Sequence, residues 1–317
     1  METGKADCSS ENQDRILVVG YSCFDLIFSA PRFPEEDSMS RAVDYHKRRG
    51  GNASNSSTVL SQLGAKPEIL AVMTDDEYGK FIQDDLKKNG IIFENCPVYA
   101  KTETPFTNII LSLSAGTRTI LHYRPKDYPD NSVDDFRKLT LSKYKWIHFE
   151  GRGIPEVLKM IDVLDGWNSS HIEKKILYSV ELERCHDDVK KLISKGNVVF
   201  VAKEFAKFLG YTCATSTLQG LAPLVQPGAT IIVPWGEQGA VARSGDGEII
   251  RSSAYPPKAV LDTTGAGDTF IAATIFYLSN NKTLFEAIDF GNKIAGAKCG
   301  MVGYLGINEV YKDIENS

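Results

Sequence analysis

Short continuous apolar runs recur along the chain, separated by polar stretches of helical length. Residues 16–20 (I-L-V-V-G), 68–73, 146–149, 176–180, 198–202 and 230–233 have the length and branched content of strands buried on both faces. Between them, residues 76–89 closed by Gly90, 156–164, 187–194 and 203–209 read as helices, with two more over 285–298 and 308–314 and a short strand at 91–93. This rhythm predicts an α/β fold with a doubly wound, mostly parallel sheet. Residues 104–123 break it. There T-P-F-T-N-I-I-L-S-L and R-T-I-L-H-Y flank S-A-G-T with no helix between, which predicts an antiparallel hairpin and hence a small β-sheet lid. Residues 33–46 are polar and charged and read as an exposed excursion.

Two glycine-marked stretches carry candidate chemistry. In residues 258–273 (K-A-V-L-D-T-T-G-A-G-D-T-F-I-A-A), an apolar run at 259–261 reads as a strand end, and Gly265 and Gly267 mark a turn into an apolar helix. Backbone N–H groups at a helix start lack intrahelical acceptors and sit at the positive end of the helix dipole, so this turn suits an anion such as a phosphate. Asp268 at its mouth is either an N-cap or a general base. In residues 48–64, Gly50 and Gly51 precede a helix whose Asn52 and Asn55 share a face. One amide can serve as a cap; two on one face suit a ligand with vicinal hydroxyls, such as a sugar. Asp25 after the first strand, residues 236–239 (G-E-Q-G) after the sixth run, and the 265–268 turn are expected to meet at the carboxyl edge of the sheet. Arg118, just past the hairpin turn, is either an exposed edge charge or a cation held over a substrate.

Composition narrows the class. With 317 residues, 42% of them hydrophobic, the chain can build a large core, and no linker or repeat divides it. We expect one domain over 16–317, lid strands inserted at about 25–43 and 97–123, and a mobile polar tail at 1–15 that is neither signal peptide nor membrane anchor. A net charge of −5 gives no footprint for nucleic acid, and no apolar run is long enough for a membrane. Six scattered cysteines without metal-ligand spacing read as reduced thiols of a cytoplasmic protein.

The pair D-T-T-G-A-G-D (262–268) and G-G-N-A-S-N (50–55) resembles the two signature motifs of the ribokinase (PfkB) family of carbohydrate kinases. The segments K-W-I-H-F-E-G-R (145–152), S-V-E-L-E (179–183) and F-V-A-K-E-F-A-K-F-L-G (200–210) resemble the members of that family that act on fructose. The resemblance implies transfer of the ATP γ-phosphoryl group to the 1-hydroxyl of D-fructose, with Mg²⁺ as the nucleotide's counterion and K⁺ as a candidate activator. It implies that Asp25, Gly51, Asn52, Asn55 and Arg118 surround the sugar, and that Gly236, Glu237, Gln238, Gly239, Gly265, Ala266 and Gly267 surround ATP. Asp268 becomes the base that accepts the sugar proton, and Gly265 and Gly267 the anion hole. Where ribokinases carry N-x-x-E, this chain has Lys203-Glu204-Phe205-Ala206, so no metal ligand is named. The alternatives are another acceptor in the same family (ribose, adenosine or another hexose) and a catalytically silent sugar or nucleotide sensor. Apolar residues among Ile109, Leu111, Ile120 and His122 have no helix to cover them, and the family clasps a second subunit through such a lid. A homodimer through the lid sheet is therefore expected.

Overall fold

A computed structural model describes residues 13–316; the expected tail over residues 1–15 falls largely outside this range. The large sheet has eight strands. From one edge, Lys66–Leu70, Arg15–Val19, Tyr144–Phe149, Leu177–Leu182, Val198–Val201 and Thr230–Pro234 are parallel, and Ala240–Arg243 and Ile249–Ser252 extend it antiparallel. Alternation along each strand feeds two cores. On Arg15–Val19, Ile16 and Val18 point to one side, with Trp146, Phe200 and Ile232, while Leu17 and Val19 point to the other, with Phe149, Val180 and Val201. Helices Asn52–Gln62, Ala266–Leu278 and Leu284–Cys299 cover the first side, and Ile154–Ser170 and Ala214–Leu221 the second. Strand order reverses beside Arg15–Val19, and ligands of such sheets bind at the carboxyl ends of the strands at that reversal.

A second sheet stands over this edge. Its order is Asp44–Gly50, Cys23–Ala30, Phe106–Ser112, Thr117–Tyr123, and its last two strands form the expected antiparallel hairpin. Several elements differ from the sequence reading, which did not see the strands Ala240–Arg243 and Ile249–Ser252. A lid strand lies at 44–50, beyond the 25–43 stretch, because its sequence D-Y-H-K-R-R-G has almost no apolar alternation to reveal it. Residues 91–93 make only an isolated bridge, Ile92 to Glu68. The run at 259–261 is not a strand: Val260 and Leu261 are 64% and 60% exposed, and the Leu261 N–H bonds the Cys299 carbonyl at 2.8 Å, tying the segment to the end of a helix.

The helix expected over 187–194 is a short 3₁₀ segment, Asp187–Leu192, instead of an α-helix. Residues 76–89 behave as predicted: Asp76 caps Glu77–Lys88 by accepting from the Gly79 N–H at 2.7 Å.

The lid is anchored to the body by Arg49. Its buried guanidinium donates to Asp85 Oδ2 at 2.8 Å, to the Ser54 carbonyl at 2.8 Å and to Thr58 Oγ1 at 2.6 Å, linking a lid strand to two helices. Truncating one partner of such a buried network strands the others, so Arg49→Ala should cost about 3 kcal/mol. Denaturant unfolding of the variant checks this; an unchanged midpoint would mean the lid is held by its apolar contacts alone.

Candidate active site

The Asn52–Gln62 helix is a poor helix former, N-A-S-N-S-S-T-V-L-S-Q, yet residues 53–60 are buried. Hydrogen bonding compensates: Ser54 Oγ donates to Ser22 Oγ at 2.8 Å, and Ser57 and Thr58 hydroxyls bond back to the Ala53 and Ser54 carbonyls. Gly51 opens this helix with φ of 97°, and a Cβ there would lie 2.3 Å from the Tyr21 carbonyl. No other residue fits. This small-residue helix packs beside Ala266–Leu278, so that Asn55 Nδ2 donates to Asp268 Oδ2 at 2.7 Å and Ser56 Oγ to the Asp268 carbonyl at 3.3 Å. Gly265 starts the second helix with φ of 73°, and its side-chain position is filled by Tyr304 Oη.

The two glycine stretches, distant in sequence, thus meet across hydrogen bonds at Asp268. They line a cleft of about 420 Å³ under the lid, with Asp25, Gly51, Asn52, Asn55, Arg118, Gly265, Ala266, Gly267 and Asp268 all in its wall. Asp25 comes from within the lid strand Cys23–Ala30. Arg118 is exposed on the lid and its guanidinium bonds Thr263 Oγ1, so it spans the cleft mouth. Gly236, Glu237, Gln238 and Gly239 form the 3₁₀ turn after Thr230–Pro234; Pro234 lines the cleft, but these four do not.

Sequence reasoning missed an acidic floor. Glu150 follows the strand Tyr144–Phe149, accepting from the Tyr21 N–H at 2.8 Å and from Arg152 Nε at 3.2 Å. Asn52 Nδ2 donates to Glu183 Oε2 at 2.7 Å and reaches Glu181 Oε2 at 3.5 Å. Glu181 and Glu183 had a signal: two carboxylates two residues apart in S-V-E-L-E point the same way at the end of the buried strand Leu177–Leu182, where packing has no use for them. Glu204 also faces the cleft, exposed on the first turn of Lys203–Phe208. On the lid side, Thr107 Oγ1 and Tyr21 Oη contact the two nitrogens of His122 at 3.0 and 3.2 Å.

These carboxylates share one electrostatic situation. Burial raises the Asp268 pKa above the ordinary carboxylate range, and the nearby Glu183 and Glu150 charges push it further, against the opposing hydrogen bond from Asn55. Burial, with Glu183 and Asp268 beside it, also raises Glu181, and burial with Glu150 raises Glu183. Asp25 is raised by burial, partly offset by Arg48. The helix-mouth Asp is therefore no simple cap: it is a desolvated carboxyl with raised proton affinity, held by one amide at the edge of an anion-accepting turn.

Comparison with known proteins supplies the deciding observation. Residues 13–306 match the family described as pfkB family carbohydrate kinase. The chain belongs to that family. Ketohexokinase of Mus musculus is 40% identical over 296 residues, covering 93% of this chain and 99% of that protein. Ribokinase of Bacillus subtilis (strain 168) is 24% identical over 304 residues, covering 95% of this chain and 98% of that protein. Among solved structures, ribokinase from Giardia lamblia superposes with a TM-score of 0.81 at 16% identity, covering 96% of this chain and 99% of that one. Arabidopsis thaliana ribokinase, solved with ribose and ATP, superposes with a TM-score of 0.76 at 17% identity, covering 96% and 99%. The fold is that of the ribokinases, with the lid as its small sheet, and the chain is a sugar kinase, a phosphotransferase that uses ATP.

The raised Asp268 pKa makes a stability prediction with a definite sign. The folded state binds this proton more tightly than the unfolded chain, so stability falls as pH rises from the ordinary carboxylate range through the raised value. At neutral pH, below the raised value of about 8, the folded protein still holds a proton that the unfolded chain has released, and this difference destabilises the ligand-free protein. Asp268→Asn should raise its Tm there by about 2–4 °C, a gain that fades as pH falls toward 4. Thermal unfolding across pH checks it; a lower Tm at pH 7 would make Asp268 a stabilising cap.

Proposed function

We propose that this chain transfers the γ-phosphoryl group of ATP to the 1-hydroxyl of D-fructose, giving fructose 1-phosphate. The observation that carries the reaction type is the buried Asp268, held by Asn55 at the start of a glycine-led helix that faces the cleft. The near full-length likeness to ketohexokinase favours fructose as acceptor.

In this reading the sugar lies between the lid and the Asn52–Gln62 helix. Asn52, Asn55 and the Gly51 backbone meet its hydroxyls, Asp25 reaches it from the lid, and Arg118 closes over it. Asp268 takes the proton of the attacking hydroxyl as the bond to phosphorus forms, because its raised pKa makes it a stronger base than an ordinary Asp. The N–H groups of Gly265 and Gly267, at the start of the helix, face the oxygens of the transferring group, and Ala266, whose N–H donates to the Thr263 carbonyl at 3.3 Å, holds the turn between them. Gly236, Glu237, Gln238 and Gly239 lie further along the same sheet edge, where the nucleotide would extend.

Mg²⁺ bound to the nucleotide supplies charge neutralisation at the β- and γ-phosphates. Glu181 and Glu183 line the cleft with hard carboxylate oxygens, and these would be the protein groups nearest in chemistry to what such an ion takes, directly or through water. K⁺ activation, which the resemblance implies, is tested by replacing K⁺ with Na⁺ in the assay. A cytoplasmic location fits the five described cysteines, all free, and no described helix is long and apolar enough to cross a membrane.

The homodimer belongs to the same reading, but through a different face from the one first expected. Ile109 is buried and, like its cross-strand partner Ile120, faces the cleft, as does His122. The uncovered apolar face is the opposite one, carrying Phe28, Tyr45, Ile110 and Leu121, with Leu121 71% exposed. A second copy's lid would cover it.

ADP release with fructose, ribose, adenosine, glucose and tagatose offered separately should give the highest kcat/KM for fructose, with phosphorus NMR showing the 1-phosphate. A clear preference for ribose or adenosine would overturn the acceptor. Asp268→Asn should keep sugar binding and lower kcat about 10²- to 10⁴-fold; near-normal turnover would remove its role as base. Leu121→Asp should turn a dimer into a monomer by light scattering and weaken sugar binding with it, whereas an active wild-type monomer at assay concentration would refute the dimer.

A further inference from the structure

Lys298 is fully buried, and neither it nor its partner Asp262 lines the cleft. Its ammonium donates to the Asp262 carbonyl at 2.7 Å and lies 3.0 Å from Asp262 Oδ2. Asp262 opens the D-T-T-G-A-G-D stretch and acts as a node. The same Oδ2 accepts from Arg48 of the lid strand Asp44–Gly50 at 3.0 Å and from the Gly303 N–H at 3.2 Å, while Oδ1 accepts from the Thr264 N–H at 2.8 Å. Residues 253–263 are in neither helix nor strand, so the segment it belongs to is held by side-chain contacts: this node, Arg118 on Thr263 Oγ1, and the Tyr255 hydroxyl, which donates to Asp289 Oδ1 at 2.9 Å. Beyond the node, the backbone of 261–262 bonds only the Cys299 carbonyl, at 2.8 and 3.3 Å. Tyr304, whose ring stands 5.6 Å from the Lys298 ammonium, fills the space behind Gly265, and its buried hydroxyl has no hydrogen-bond partner.

A buried ammonium is expensive to desolvate, and a buried ion pair is a weak source of stability compared with apolar packing. Its placement has another consequence. Two cations share one carboxylate, so a net positive charge remains at the residue that leads into the turn before the Ala266–Leu278 helix. Lys298 grips both the backbone and the side chain of the residue that starts that turn. We propose that Lys298 is a positioning residue for phosphoryl transfer: its ammonium fixes Asp262 and through it the 263–268 turn in the shape that receives the phosphoryl group. The inference rests on the kinase reading above but not on the identity of the sugar.

The test uses the full chain with whichever acceptor the wild type turns over fastest. Lys298→Met keeps the length of the side chain and removes the charge; it should lower kcat about 10²-fold, the scale of a small misplacement at a reacting centre, while sugar affinity measured by calorimetry without nucleotide stays unchanged. Lys298→Ala leaves a cavity beside Asp262, and methylammonium added to the assay should restore part of its kcat while leaving the wild type and Lys298→Met unaffected. A purely packing role predicts neither the split between kcat and sugar binding nor the rescue. Wild-type kcat in folded Lys298→Met, or a slow Lys298→Ala that methylammonium does not restore, would overturn the proposal. Should the Lys298 variants fail to fold, Asp262→Asn removes the carboxylate at constant volume and is expected to show the same kcat loss; wild-type turnover there would overturn it equally. If the wild type phosphorylates no acceptor, the function reading fails, and calorimetry of ATP with Mg²⁺ still decides this inference: weaker binding to Lys298→Met supports it and equal binding refutes it.

Discussion

The structure depends on keeping one carboxylate away from water without pairing it to a cation. Asp268 is 7% exposed, its only side-chain hydrogen bond comes from the Asn55 amide, and its nearest charges include Glu150 and Glu183. An arginine in place of Asn55 would satisfy the charge and abolish its basicity; an apolar residue would leave it unsolvated. A neutral amide lies between these extremes, which is why a helix of poor propensity, rich in Ser and Asn, is buried here and held by its own hydroxyl bonds. The cost in stability is placed where chemistry uses it.

The lid is coupled to this arrangement. Arg48 and Arg118, on its two edge strands, both reach the stretch just before the anion turn, at Asp262 and Thr263, while Arg49 ties the Arg48 strand to the body. The lid therefore grips the segment that leads into the glycine turn. Burial and strand pairing make the inner face of that sheet polar near the cleft, at Asp25, Thr107 and His122, and leave the outer face apolar.

Much of this was legible before the coordinates. Buried parallel strands are written as continuous apolar runs, so the six parallel strands of the large sheet could be read directly, though its antiparallel edge, Ala240–Arg243 and Ile249–Ser252, was not, and the hairpin was visible because it broke that rhythm. The glycines at 51 and 265 announced turns that only glycine can make. What escaped were features with no local pattern. The Asp44–Gly50 strand is polar along its length and exists because it pairs with Cys23–Ala30. The 259–261 run is apolar but exposed, because its backbone is claimed by the end of a helix. Glu150, Glu181 and Glu183 come from two different strands, and only parallel pairing brings them to one floor. Which face of the hairpin is covered also followed from register, since Ile109 and Ile120 are opposite each other and point inward together.

The claim that Asp268 is a base whose proton affinity is raised by burial and by neighbouring carboxylates is tested most directly by the pH dependence of kcat/KM for the preferred sugar at saturating ATP and Mg²⁺. A base must be ionised to act, so activity is lost as pH falls through its pKa in the free enzyme. The account predicts an acid limb whose midpoint lies above the range of an ordinary aspartate, as the raised proton affinity requires. A rate that stays constant down into the ordinary carboxylate range would contradict it.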